Sequence, residues 1–135
     1  MKTCLVVDDS GVVRKIARRI LEEMQFEIIE AEDGEKALEE CKQAMPDAVL
    51  LDWNMPVMDG YEFLGRLRQL PGGDTPKVVF CTTENGVDHI SRALHGGADD
   101  VIPPEHARVA LQHLAVLHGD ATLDVAQGAG HALHP

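Results

Sequence analysis

The sequence predicts one α/β domain: a doubly wound sheet of five parallel strands with helices on both faces. Two observations carry this reading. Short apolar runs alternate five times with amphipathic helical stretches through short connections, and right-handed crossovers then place helices on both sides of a parallel sheet. The run Ala48-Val49-Leu50-Leu51 is apolar at four successive positions, as suits a strand covered on both faces, and it ends in Asp52 before Trp53-Asn54-Met55-Pro56 turns the chain. Asp52 is therefore either a residue presented at the carboxyl rim of the sheet, where ligands bind in open parallel sheets, or a cap of the next element.

Taken in order, Cys4-Leu5-Val6-Val7 forms the first strand and ends in the pair Asp8-Asp9. After Ser10-Gly11, the residues Val13, Ile16, Ala17, Ile20, Leu21 and Met24 repeat with the spacing of a helix that buries one face. Arg14, Lys15, Arg18 and Arg19 fill the remainder of that helix, as a solvated face or as a docking surface for an acidic partner. Glu27 to Ala31 reads as the second strand, and Asp33-Gly34 turns the chain into a helix carrying Ala37, Leu38, Cys41 and Met45. Asp59-Gly60 precedes a third helix with Tyr61, Phe63, Leu64 and Leu67, and Leu70 to Pro76 is a loop. Lys77 to Cys81 is the fourth strand, followed by Thr82. The fourth helix presents Val87, Ile90, Ala93 and Leu94 and stops at Gly96-Gly97. Val101-Ile102 is a short fifth strand. Pro104 and Glu105 then suit the start of a helix striped with Ala107, Ala110, Leu111, Leu114 and Leu117. Residues 1–119 form the expected domain, and 120–135 a polar, small-residue tail.

Composition narrows the function. The 135 residues, 44% of them hydrophobic, suit a single domain with a core. A formal charge of −11 argues against direct DNA binding, which needs an excess of Lys and Arg. No run approaches the length of about 20 apolar residues that spans a bilayer, and no signal peptide is legible, so the expected location is cytoplasmic. Cys4, Cys41 and Cys81 are odd in number and widely spaced, which predicts three buried thiols rather than a disulfide or zinc site.

If the strand order is 2-1-3-4-5, Asp8, Asp9 and Asp52 converge at the switch point between strands one and three. Fully ionised carboxylates about 4 Å apart repel by about 4 kcal/mol per pair at an effective dielectric near 20. A hard divalent cation relieves this, and magnesium suits a small oxygen site that retains water. With a cation present, one carboxylate can act as nucleophile towards phosphorus. Thr82, at the end of the neighbouring strand, is placed either to hydrogen-bond a phosphoryl oxygen or to satisfy its own turn.

The motifs Val7-Asp8-Asp9-Ser10, Leu50-Leu51-Asp52-Trp53-Asn54-Met55-Pro56-Val57-Met58-Asp59-Gly60 and Thr82 together resemble the receiver domains of two-component response regulators, similar to the chemotaxis response regulator. The likeness covers roughly residues 2–102. It implies a flavodoxin-like fold and a phosphoprotein of a phosphorelay rather than an enzyme. It also implies that Asp52 is the phosphoacceptor for a histidine kinase or a histidine phosphotransfer protein. By the same resemblance Asp8, Asp9, Asp52 and the main-chain carbonyl of Asn54 hold magnesium, and Thr82 is the switch hydroxyl. No output module is recognisable, so the expectation is a stand-alone receiver whose surface is read by a downstream protein.

The sequence departs from the family at its end. Receivers place a lysine after the fifth strand, where this chain has Asp99-Asp100-Val101-Ile102-Pro103-Pro104-Glu105, and no lysine follows Lys77. The aromatic residue usual in the fifth strand is replaced by Val101. Arg108 is the nearest substitute cation, about one turn into the fifth helix. His106, His113, His118, His131 and His134 have spacings ill suited to a metal site and read as surface. Three expectations follow: a phosphoacceptor switch, a poorly phosphorylated interaction module of receiver fold, or an aspartyl phosphohydrolase. The last is disfavoured because Asn54 stands where a general acid is needed. Glu105 to His118 is expected to form an amphipathic helix that packs on its own sheet, or dimerises with a second subunit, or stays unfolded.

Overall fold

The computed structural model describes residues 2–82 and 86–103, together with His106 and Gln112. Its elements alternate as β1 (Lys2–Val7), α1 (Gly11–Glu23), β2 (Phe26–Ala31), α2 (Gly34–Gln43), β3 (Ala48–Leu51), α3 (Gly60–Gln69), β4 (Lys77–Cys81), α4 (Val87–His95) and β5 (Asp100–Ile102). The five strands are parallel, as the sequence predicts, and ordered β2-β1-β3-β4-β5.

Local chemistry sets the helix starts. Ser10, Asp33 and Asp59 each accept a hydrogen bond from the backbone N–H three residues on, at 3.2, 2.8 and 2.8 Å, which satisfies one of the open donors of the first turn. The pleat of the sheet then divides the core. Leu5, Val7, Val49, Leu51 and Phe80 face Ala37, Leu38, Phe63, Leu64, Leu67 and Ala93 on one side, while Cys4, Val6, Leu50 and Val79 meet Ala17 and Leu21 on the other. Burial on both faces explains the uninterrupted apolar run of β3.

Three expectations about the core need correction. Val13 and Ile16 are 46% and 56% exposed and border an open groove over β1 and β3, while Ala17 and Leu21 of the same stripe are buried in the core. On α4, Val87 and Leu94 are exposed and only Ala93 is buried, so this helix touches the sheet along a narrow line. Cys4 and Cys41 are buried as expected, and burial pushes both thiols up, to about 12 and about 11, whereas Cys81 is only half-buried. The fifth helix and its stripe, Arg108, the boundary at residue 119, the tail and four of the five C-terminal histidines lie outside the described residues. His106 is exposed.

Arg68 joins three segments. From the end of α3 its Nη1 donates to the carbonyls of Gly73 and Pro76, both at 2.9 Å. Its Nε and Nη2 donate to Gly97 at 3.1 and 2.6 Å. Gly97 has φ +110° in the turn between α4 and β5, and the Asp99 carboxylate lies 3.6 Å from the guanidinium. With the side chain 17% exposed, truncation leaves carbonyls that water only partly reaches. Arg68→Met is expected to lose about 2–4 kcal/mol in urea denaturation, with Arg68→Lys recovering part of it because an ammonium lacks the planar fork. An unchanged midpoint for Arg68→Met would refute this role.

Candidate functional site

β1 and β3 are neighbours with Val7 paired to Leu51, so Asp8 and Asp52 emerge side by side from the carboxyl rim. The ladder continues one step further on both: Asp52 N–H donates to Val7 O at 3.0 Å and Asp8 N–H to Ala31 O at 3.1 Å. Asp9 follows on the exposed side. Oxygens of all three carboxylates lie within 4.8 Å of one another. Each inner acid is also oriented by a backbone donor, Ser10 N–H on Asp8 Oδ1 at 2.9 Å and Trp53 N–H on Asp52 Oδ1 at 2.8 Å.

Electrostatics register the crowding. Burial and then the Asp8 charge push Asp52 from 3.8 up to about 6, against the pull of the Trp53 N–H and of a hydrogen bond from the Thr82 hydroxyl. Asp8 is raised as well, first by burial and then by Asp9, with the Ser10 N–H and the Arg14 charge opposing. Thr82 is 1% exposed, and its own N–H donates to Ile102 O at 3.2 Å. The Thr82 hydroxyl therefore faces the Asp52 carboxylate, a contact that neither sequence reading of this residue names.

The loop after β3 is tightly specified. Met58 N–H donates to Pro56 O at 2.7 Å around Val57 at φ +70°, a γ-turn whose positive φ is unfavourable for a β-branched residue. Gly60 N–H donates to Trp53 O at 2.8 Å, and a Cβ at Gly60 would collide with the carbonyl oxygen of Asp52. Trp53 is buried with its ring stacked on Tyr61 at 5.4 Å, tilted on Phe80 at 5.0 Å and edge-on to His89 at 4.9 Å. The Arg92 guanidinium lies 4.6 Å from the Tyr61 ring. An indole beside Asp52 thus contacts α4 directly.

Asp8, Asp52, Asn54 and Thr82 line one end of a groove of about 420 Å³, whose other end is apolar, with Val13, Ile16, Ile20 and Leu50. Asn54 is exposed there. The donor set is three carboxylates with no thiolate or imidazole in the cluster, and two of the acids are disfavoured as anions, which fits a small hard cation such as magnesium. No lysine follows Lys77 to pair with Asp52.

Sequence reading missed Arg14. It was placed on the cationic outer face of α1, yet it reaches back to bond Asp8 O at 2.7 Å and Glu30 at 3.0 Å. The available signal was Glu30 itself, an acid near the end of a β-branched strand.

A doubly wound parallel sheet with an acidic, cation-compatible rim at its switch point defines the class of protein. Residues 4–115 match the model of the response regulator receiver domain, so the chain belongs to that family of two-component signalling proteins. Chemotaxis protein CheY of Halobacterium salinarum is 38% identical over 102 residues, which are 75% of this chain and 82% of that one. The phosphate regulon transcriptional regulatory protein PhoB of Escherichia coli is 35% identical over 99 residues, 73% of this chain but 43% of PhoB, so against such larger relatives the chain spans less than half their length. Among solved structures, chemotaxis protein CheY4 of Vibrio cholerae superposes with a TM-score of 0.76 at 30% identity, covering 84% of this chain and 98% of CheY4. The receiver domain of a histidine kinase from Syntrophus aciditrophicus gives 0.74 at 27% identity, covering 86% and 91%. No helix among the described residues is long and apolar enough to cross a membrane.

The raised Asp52 has a consequence for stability. Its folded-state pKa lies above the unfolded one, so the folded state is favoured most below pH 3.8 and loses that advantage as pH rises to about 6. Asp52→Asn removes the ionisation and is expected to stabilise the cation-free protein at pH 7 by about 1–2 kcal/mol, after allowance for solvent screening at the half-open rim. Thermal melts at pH 4 and pH 7 check this. Equal destabilisation of the variant at both pH values would contradict it.

Proposed function

We propose that the protein is a phosphoacceptor switch or phosphorelay shuttle, in which Asp52 takes a phosphoryl group from the phosphohistidine of a kinase or phosphotransfer protein. The observation that carries this reading is the joint placement of Asp8, Asp9 and Asp52 within 4.8 Å, with the buried Thr82 hydroxyl on Asp52. Asp8, Asp9, Asp52 and the main-chain carbonyl of Asn54 would hold magnesium, which when bound offsets negative charge on the transferring group.

In the transfer, a carboxylate oxygen of Asp52 attacks phosphorus, the bond from phosphorus to the donor's imidazole nitrogen breaks, and the electron pair stays on that nitrogen. Trp53 N–H holds the other requirement, a fixed carboxylate. Thr82 then exchanges its carboxylate partner for a phosphoryl oxygen, and because its N–H is bonded to Ile102 the exchange pulls on β5. Exposed Val12, Val13 and Ile16 beside the rim, flanked by Lys15 and Arg19, suit docking of the donor. The output goes to a downstream protein, since the charge of −11 disfavours DNA. Without the family's lysine one charge-assisted hydrogen bond is missing, worth about 1.5–3 kcal/mol, so coupling between phosphorylation and output is about 10- to 150-fold weaker than with it.

Acetyl phosphate with magnesium is expected to label Asp52 and to change Trp53 fluorescence, and Asp52→Asn to abolish labelling. Lowering the pH from 7 to 5 protonates Asp52, whose pKa is about 6, so magnesium affinity by the same fluorescence falls about tenfold. Undiminished labelling of Asp52→Asn, together with no magnesium response, overturns the proposal. A downstream protein that binds the beryllofluoride form no better than the free form would favour an interaction module instead.

A further inference from the structure

We infer that Arg14, anchored by Glu30, is a positioning residue that fixes Asp8 for cation binding. The inference rests on the reading of the acidic rim as a cation-assisted phosphoacceptor site. Val7 is the last residue of β1 paired to β2, so among the described residues the Asp8 carbonyl lies beyond that ladder. Arg14 supplies a partner, with Nη1 donating to Asp8 O at 2.7 Å and Nε to Glu30 Oε1 at 3.0 Å. Glu30 sits on β2 opposite Val6, one residue before the Ala31 carbonyl that receives the Asp8 N–H. Both sides of the Asp8 peptide are therefore tied to the end of β2, one directly and one through the guanidinium.

The tie is built rather than incidental. Arg14 and Glu30 are each 16% exposed in their side chains, which shields the pair from solvent far more than a surface ion pair. Arg18 Nε takes the second Glu30 oxygen at 2.7 Å and Lys15 approaches the first at 3.7 Å, and the Arg18 bond above all holds the Glu30 carboxyl below its usual range. Glu30 is thus a fixed anion, and the planar guanidinium can bond it and Asp8 O at once, which an ammonium cannot do with the same geometry. With its peptide fixed on both sides and its Oδ1 held by Ser10 N–H, Asp8 has little freedom left.

Charge and position predict opposite outcomes. Arg14 is a cation beside a site for a cation, so if its charge alone mattered, removing it would tighten magnesium binding. If it positions Asp8, removal weakens binding, as loss of groups that orient metal ligands does by about 10-fold or more. The test is magnesium affinity of the full chain by Trp53 fluorescence, with the magnesium-induced rise in melting temperature as second readout. Arg14→Met is expected to weaken affinity about tenfold and Glu30→Gln about threefold, with Arg14→Lys between wild type and Arg14→Met. The double variant should be no weaker than Arg14→Met, since both act through one tie. Lys36→Met, at an exposed side chain in the same surface cleft as Arg14, removes the same charge without the contact and should leave affinity equal or slightly higher.

A wild-type protein that responds to magnesium, with Arg14→Met binding within about threefold of it or more tightly, overturns the inference and leaves the phosphoacceptor reading intact. Lower melting temperature in Arg14→Met at unchanged magnesium affinity overturns it equally, by assigning a purely structural role. Should Arg14→Met fail to fold, Arg14→Lys decides, since it keeps the charge and loses the planar fork: weaker magnesium affinity than wild type supports the inference and affinity equal to wild type overturns it. No magnesium response in wild type removes both readings together.

Discussion

Three carboxylates held at one rim, where their ionisation opposes itself, is the constraint on which the rest of the molecule depends. The crowding is imposed by the backbone, not by side-chain choice: β1 and β3 are adjacent, in register and buried on both faces, so the residues after Val7 and Leu51 must emerge together. A slip of one residue would exchange the side chains that enter the two halves of the core, and neither packed half accepts the other's set without strain or voids. The energy of the core is in this sense what keeps the acids close. Burial and then the neighbouring Asp8 charge raise Asp52 to about 6, and a divalent cation relieves the charge part of that rise.

Around this corner the loops are tied down from several directions. Gly60 admits the Asp52 carbonyl where any side chain would collide, Asp59 caps α3, and the γ-turn at Val57 accepts an unfavourable φ to bring α3 back under the rim. Arg14 and Glu30 grip the β1 side as Gly60 and Trp53 grip the β3 side. Thr82 spans the gap, with its hydroxyl on Asp52 and its N–H on β5, so a change of partner at the rim has a mechanical path outward. Trp53 offers another route, through His89 to α4.

Much of this was legible in the residues. The five short apolar runs, their acidic ends and the turn residues between them marked the strands, because period and punctuation are local properties, and the sheet order then brings Asp8, Asp9 and Asp52 to one place. The exposure of the N-terminal stretch of α1 was not legible: Val13 and Ile16 share the spacing of Ala17 and Leu21, and helical period does not say which positions border a groove and which meet the core. Arg14 was read as solvated for a similar reason, since helical spacing shows which face a residue occupies but not that a long side chain folds back to a neighbouring strand. The bond from the Thr82 hydroxyl to Asp52 was not legible, because Asp52 arrives from a different strand.

The most direct test of the account is the titration of the Asp52 carboxyl carbon by NMR, with and without magnesium. Without the cation the midpoint should lie near pH 6, well above the ordinary 3.8, and with saturating magnesium it should fall below that ordinary value. A midpoint near 3.8 that magnesium leaves unmoved would contradict the claim that crowded carboxylates, relieved by a cation, organise this site.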